Sequence, residues 1–210
     1  MKEKKKVKLS VIILIVLLSI LLIVGIYYLR NYCIINDIFN KQATFKNYTN
    51  YSFRTKSYVN HSQPITIDYA FKDGNYTFKV ANNDNSLLTW YNSKSNEMIT
   101  ISLTEKTATT AIREDFIMMP LPTMGSDKIT LTFSSFISSE MVNGKDCYKI
   151  VNNANVQYFN KENGTLVKSV SNSDIDGKET ISTVEFSNFE FNKLTDKDVA
   201  KPDLTGYNIL

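Results

Sequence analysis

Residues 9–29 form an apolar run without a charged side chain, interrupted only by Ser10, Ser19 and Gly25. About twenty such residues in a helix cross the hydrocarbon core of a bilayer. Lipid offers no hydrogen bonds, so a run of this kind is confined to helix. Lysines at 2, 4, 5, 6 and 8 precede it, and Arg30 alone follows closely. The positive-inside rule predicts an N-terminus in the cytoplasm and everything beyond Arg30 outside. A secretory signal core is about 7–15 residues and ends at a small-x-small site. Here Ile26-Tyr27-Tyr28-Leu29-Arg30-Asn31-Tyr32 follows instead, which favours a retained anchor over a cleaved signal. Tyr27, Tyr28 and Tyr32 suit the aromatic belt at a membrane surface. Arg30-Asn31-Tyr32 is too large and polar to be the cleavage box of a lipidated Cys33.

The net charge of +3 is misleading. Residues 1–8 carry +4 and Arg30 adds one, leaving −2 for the rest. The external part therefore has no net basic field for nucleic acid. Two cysteines, Cys33 and Cys147, are too few for a disulfide framework. Cys147 reads as a small buried apolar residue, with a Cys33–Cys147 bridge as the alternative. Arginine occurs only at 30, 54 and 113 in a chain rich in Asn and Lys. That bias suggests an AT-rich coding sequence and hence a low-GC bacterium.

Beyond about residue 50 the apolar period is two, the signature of half-buried strands. Ile65, Ile67, Tyr69 and Phe71 alternate with polar or small residues, and Tyr76, Phe78 and Val80 resume after Asp73-Gly74. Asn143-Gly144, Asn163-Gly164 and Asp176-Gly177 punctuate later runs, so four of seven glycines sit in hairpin dipeptides. Strands are predicted at 87–91, 98–103, 129–133, 148–150, 156–158 and 181–191. The result is a meander of roughly eight to ten strands. In the last strand the step from Phe186 to Phe189 is three residues, which predicts a bulge at Ser187-Asn188. Residues 34–45 have helical spacing and predict a short helix leaving the membrane. Thr195 with Asp198 predicts a capped helical turn, and Pro202 a stop.

The segment 111–125 breaks the β pattern. Phe116, Ile117, Met118, Met119, Leu121 and Met124 are interrupted by Pro120 and Pro122. It is too proline-rich for a strand and too apolar for a solvated loop. Either it folds back as core cover, or it is a mobile apolar lid whose methionines tolerate varied shapes. Trp90 is a further candidate for an apolar or carbohydrate contact, with core filling as the alternative.

Catalytic signals are missing. His61 is the only histidine, and its neighbours Asn60, Ser62 and Gln63 read as a turn. No CxxC, HExxH, calcium loop or phosphate-cradling glycine loop is present. The chain is predicted to be no enzyme and to hold no cofactor or metal.

Three segments carry a resemblance. Val142-Asn143-Gly144-Lys145-Asp146-Cys147-Tyr148-Lys149-Ile150 is a hairpin feeding a strand with Cys-Tyr-x-Ile. Val156-Gln157-Tyr158-Phe159 then leads through Asn163-Gly164-Thr165 into Leu166-Val167-Lys168. The end reads Leu194-Thr195-Asp196-Lys197-Asp198-Val199, then Lys201-Pro202-Asp203-Leu204. This order resembles the extracytoplasmic β domains of the lipoprotein-carrier (LolA-like) superfamily. The resemblance implies a curved antiparallel half-barrel, plugged by short helices or a loop, over an apolar concavity. In the carriers that concavity holds acyl chains. Those carriers shuttle freely, whereas this chain is tethered, so the resemblance lends a fold and a suspected apolar site but not a shuttle.

The chain thus divides into a basic stub (1–8), a transmembrane helix (9–29), a juxtamembrane helix or linker (30–48) and an extracytoplasmic, mainly β domain (49–210). Its partners are predicted to be the membrane, with a lipid or lipoprotein as ligand. The competing reading is an envelope scaffold, protein-interaction or sensor domain with a filled core.

Overall fold

The computed structural model describes residues 9–60, 62–81, 86–116, 120–125, 127–175 and 177–210. Helix α1 (Leu9–Ala43) runs unbroken for 35 residues, about 52 Å at 1.5 Å per residue. The sequence predicts separate helices on either side of Arg30. No proline or glycine lies between 26 and 43, so nothing stops the helix there. Its two parts differ in surroundings. Residues 9–26 are exposed throughout, and this part is long and apolar enough to cross a membrane. Further on, Asn31, Ile35, Ile38 and Gln42 are buried, a spacing that keeps one face against the sheet.

Eleven strands form one open antiparallel sheet. The first meander is β1 (Asn50–Val59), β2 (Ile65–Lys72), β3 (Asn75–Ala81), β4 (Ser86–Asn92), β5 (Glu97–Ser102) and β6 (Thr107–Ile112). The second is β7 (Phe136–Val142), β8 (Lys145–Asn152), β9 (Asn155–Asn160), β10 (Leu166–Ile175) and β11 (Lys178–Phe191). The last of these pairs with the first, giving the order β6-β5-β4-β3-β2-β1-β11-β10-β9-β8-β7. A short β12 (Asn208–Ile209) adds in parallel to β6. The sheet does not close on itself.

The turns follow the chemistry of positive φ. Asp73 and Gly74 have φ of 50° and 92°, and Asn143 and Gly144 have 50° and 74°, joining β2 to β3 and β7 to β8. Both central residues positive is the turn whose twist matches the strands. The bulge falls at Asn188, with φ of 53°, where the pairing with β1 slips between Ser52 and Arg54. It returns Phe189 and Phe191 to the face that holds Val184 and Phe186.

One predicted strand is a helix. Residues 129–133 lie in α2 (Lys128–Ser134), because Asp127 caps it. Its carboxylate accepts from the Ile129 and Thr130 N–H groups and from the Thr130 hydroxyl. Leu131 and Thr132 are then buried, while Ile129 and Phe133, four residues apart, share an exposed side. Alternation at 129, 131 and 133 describes either element, and the cap decides.

We call the face covered by α1 the inner face. On it Ile35, Ile38, Phe53, Leu131, Ile150 and Phe159, among others, form the main core. On the outer face the C-terminal tail crosses strands β2–β6. Its 3-10 turn (Asp196–Val199) has the predicted capping box between Thr195 and Asp198. Trp90 Nε1 donates to Val199 O at 2.9 Å, and Leu204 and Tyr207 pack with Trp90, Ile99 and Ile101. Cys147 is buried, Cys33 exposed, and both are free.

Candidate functional site, the inner face of the sheet

The inner face is half filled and half open. Beneath α1 it is filled: Ile35, Ile38 and Phe159 are fully buried, and Ile137 and Ile150 are 2 % exposed. Gln42 ties this side together. Its Nε2 donates to Gly164 O at 2.9 Å, and its Oε1 accepts from Met124 N at 2.8 Å. The loop between β9 and β10 and the segment before α2 are thereby both held to α1. Gly164 sits at φ 75°, and a Cβ there would lie 2.8 Å from the Lys41 Cβ. Only glycine fits this approach.

Over β2–β4 the inner face is open. Ile67, Tyr69, Phe71, Tyr76, Phe78 and Val80 remain half-buried. Their rings continue a row that starts in the core. Phe189 and Phe53 lie 5.7 Å apart, Phe53 and Tyr69 4.9 Å, and Tyr69 and Phe78 6.3 Å. The row ends in Phe116, 6.2 Å from Phe78 and 4.5 Å from Tyr91. Offset ring contacts of this kind add modestly to simple area burial.

The strand register separates charge from this face. In β1–β6 the charged side chains Arg54, Lys56, Asp68, Lys72, Lys79 and Glu97 all fall at outer positions. Arg54 and Asp68 pair at 2.6 Å. The inner positions of these strands hold aromatic, aliphatic and hydroxyl side chains and the thioether of Met98, and no charge, among the described residues. Burial pushes Tyr51 and Tyr69 above the ordinary tyrosine range, and Tyr76 rises further through burial and its neighbour Tyr51. The chemistry available here is apolar contact.

The predicted site residues divide three ways. Phe116 stands on the open inner face, and Leu121 and Met124 are buried in the main core. Segment 113–125 therefore starts beyond β6, touches β3 and β4 through Phe116, and reaches α1 through Met124. Ile117, Met118 and Met119 lie outside the described residues, as does His61. Trp90 lies on the opposite face, beneath the tail, so the fold does not bring it to the others. The sequence reading overlooked the row Phe53, Tyr69, Phe78 and Tyr91. The alternation in β1–β4 that revealed the strands also marked these side chains as sharing a face.

A separate cleft of about 660 Å³ lies on the outer face between the tail and β1–β4. Asp68, Lys79, Glu190 and Asp198 line it together with Leu88, Phe189 and Leu194, so it mixes charged and apolar surface. No cluster of three or more metal-ligating side chains occurs among the described residues.

No family model matches the chain, and no curated protein matches it. Similarity appears among solved structures. An uncharacterized conserved protein from Thermus thermophilus matches with TM-score 0.50 and 10 % identity, covering 83 % of this chain and 97 % of that one. MucB in complex with MucA(peri) matches with TM-score 0.39 and 9 % identity, covering 80 % of this chain and 60 % of that one. The superfamily that the sequence resembles is also represented. A LolA superfamily protein from Nitrosomonas europaea matches with TM-score 0.22 and 11 % identity, covering 79 % of this chain and 97 % of that one. At 10 % identity and TM-score 0.50, the likeness to the Thermus thermophilus protein concerns fold alone.

Proposed function

We propose that this chain is a single-pass, membrane-anchored binding domain, with its N-terminus in the cytoplasm and the sheet outside. It holds an apolar chain, of a lipid or a lipoprotein, against the inner face of β2–β4 and performs no catalysis. The observation that carries this reading is the charge-free inner face of β1–β6, half-uncovered over β2–β4. Burying apolar area there releases about 25 cal/mol per Å². Phe116 borders this site, and Leu121 and Met124 carry the same segment into the core. Trp90 serves the tail instead.

Native mass spectrometry of the full chain, released from detergent, tests this. The expected result is a lipid-mass adduct that Phe78→Asp abolishes, because a carboxylate on this face has no partner. A lipid-free chain, or adducts indifferent to Phe78→Asp, would contradict it. A protein-interaction domain is the second reading, favoured by the mixed charged and apolar outer cleft and the filled half beneath α1.

A further inference from the structure

Helix α2 turns two large apolar side chains outward. Ile129 is 66 % exposed and Phe133 62 %. Phe136, at the start of β7, is 60 % exposed. A seven-residue helix in water normally buries such residues and shows polar ones. Here Leu131 and Thr132 are buried, while Ile129 and Phe133 stay mostly exposed along the edge of α1.

Its position along α1 explains the choice. Tyr27 Oη donates to Ser135 O and Arg30 Nη1 to Ile137 O, each at 3.3 Å. Asn31 Nδ2 donates to Thr132 O and Ser135 O. The Tyr28 and Phe133 rings are 4.9 Å apart. Tyr28, Leu29, Tyr32, Ile129, Thr132 and Phe133 line an open apolar depression of about 420 Å³. These contacts hold α2 at the level where the apolar run ends and Arg30 brings the first charge. The exposed surface of residues 9–29 therefore continues without a break onto Ile129 and Phe133. The nearby cation points the other way: Lys128 Nζ donates to Asn36 Oδ1 at 3.0 Å and lies over the Phe39 ring, further along α1 from the span.

The sheet repeats the asymmetry. At the end from which α1 enters, Val59, Ile65, Leu87 and Ile181 are exposed as well as Phe136. At the far end the exposed large apolar side chains are Ile112 and Met141, among the described strand residues.

We propose that α2 and the start of β7 are a second membrane contact, with Ile129, Phe133 and Phe136 seated in the outer leaflet beside α1. Short apolar faces of this kind sit about 5–10 Å into the headgroup boundary. The domain then stands on the bilayer in one orientation instead of swinging on a tether. The inference rests on the reading of residues 9–29 as a membrane span. The outer leaflet is the occupant because the patch is continuous with the surface that the span gives to lipid, and because Tyr27, Tyr28 and Tyr32 mark the interface at that height.

The experiment uses the full chain in phosphatidylcholine vesicles, with and without brominated acyl chains that quench tryptophan on contact. Phe133→Trp and Ile129→Trp report on α2, Leu18→Trp on the span and Ile112→Trp on the far end. Emission of native Trp90 is subtracted using the parent chain. The expected result is a blue shift and a marked loss of emission for the α2 and span probes, and neither for Ile112→Trp. Quenching of Leu18→Trp alone overturns the second contact and leaves the span standing. No quenching at either place overturns the span and this inference with it. Blue-shifted but unquenched α2 probes mean that protein covers the patch, which overturns the lipid assignment.

Discussion

Strands β8–β10 and strands β2–β4 turn similar side chains to the same inner face and meet different fates. Ile150 and Phe159 are sealed under α1, whereas Phe71 and Phe78 remain half-buried. The difference lies in what crosses the face. A helix with Ile35 and Ile38 on one side fills the first region, and Gln42 locks it. Over the second region segment 113–125 places the Phe116 ring beside Phe78 and Tyr91. An amphipathic helix seals the first region, and among the described residues no helix crosses the second.

The sharpest way to break this comparison is to remove a ring from each side. Phe159→Ala is expected to cost about 3–5 kcal/mol in urea unfolding, because a fully buried ring leaves a cavity. Phe78→Ala should cost less, about 1–2 kcal/mol, since this ring is only partly buried and leaves no closed cavity. Equal losses would mean that the second region is also a packed core. Next comes the lock. Gln42→Leu leaves the Met124 N–H and the Gly164 carbonyl without partners, at about 1–3 kcal/mol each. It should also bring early proteolytic cleavage in segment 113–125. Gly164→Ala should lower stability by more than about 1 kcal/mol, through its positive φ and the approach to Lys41.

The smallest effect is at the α2 cap. Hydrogen bonds from the Thr130 hydroxyl and then from the Ile129 and Thr130 amides hold the Asp127 carboxyl below its ordinary range. Its contribution is fully present above the unfolded value of about 3.9 and is lost as pH falls through the lower folded value. Melting curves between pH 5 and 2 should therefore fall less steeply for Asp127→Ala than for the parent chain. Identical slopes would remove the cap from the account of why residues 129–133 are helix.

What the sequence revealed follows from how local each signal is. Asp73-Gly74 and Asn143-Gly144 mark hairpins because their own φ angles build the turn. The Asn188 bulge was legible as one extra residue between Phe186 and Phe189, and the tail cap as Thr195 and Asp198 three apart. The pairing of β1 with β11 was not legible, because it joins Tyr51 to Phe191 across most of the chain and no nearby residue encodes it. Nor was α2, where alternation suits both helix and strand until Asp127 and the surface of α1 decide. Of the predicted site, Phe116 was legible as an apolar ring in a broken segment. The placement of Trp90 depends on the tail that folds back over it, a contact 109 residues away.

The central claim is that the open half of the inner face, and not the filled half, receives an apolar chain. Photo-crosslinking tests it most directly. The full chain in vesicles containing a phospholipid with a diazirine on its acyl chain is irradiated, and the labelled peptides are identified. The expected result is label on residues 67–80 and 113–125 as well as on residues 9–29, with the first two lost in Phe78→Asp and the last retained. Label confined to residues 9–29 would contradict the claim and leave the sheet as a scaffold beside the membrane.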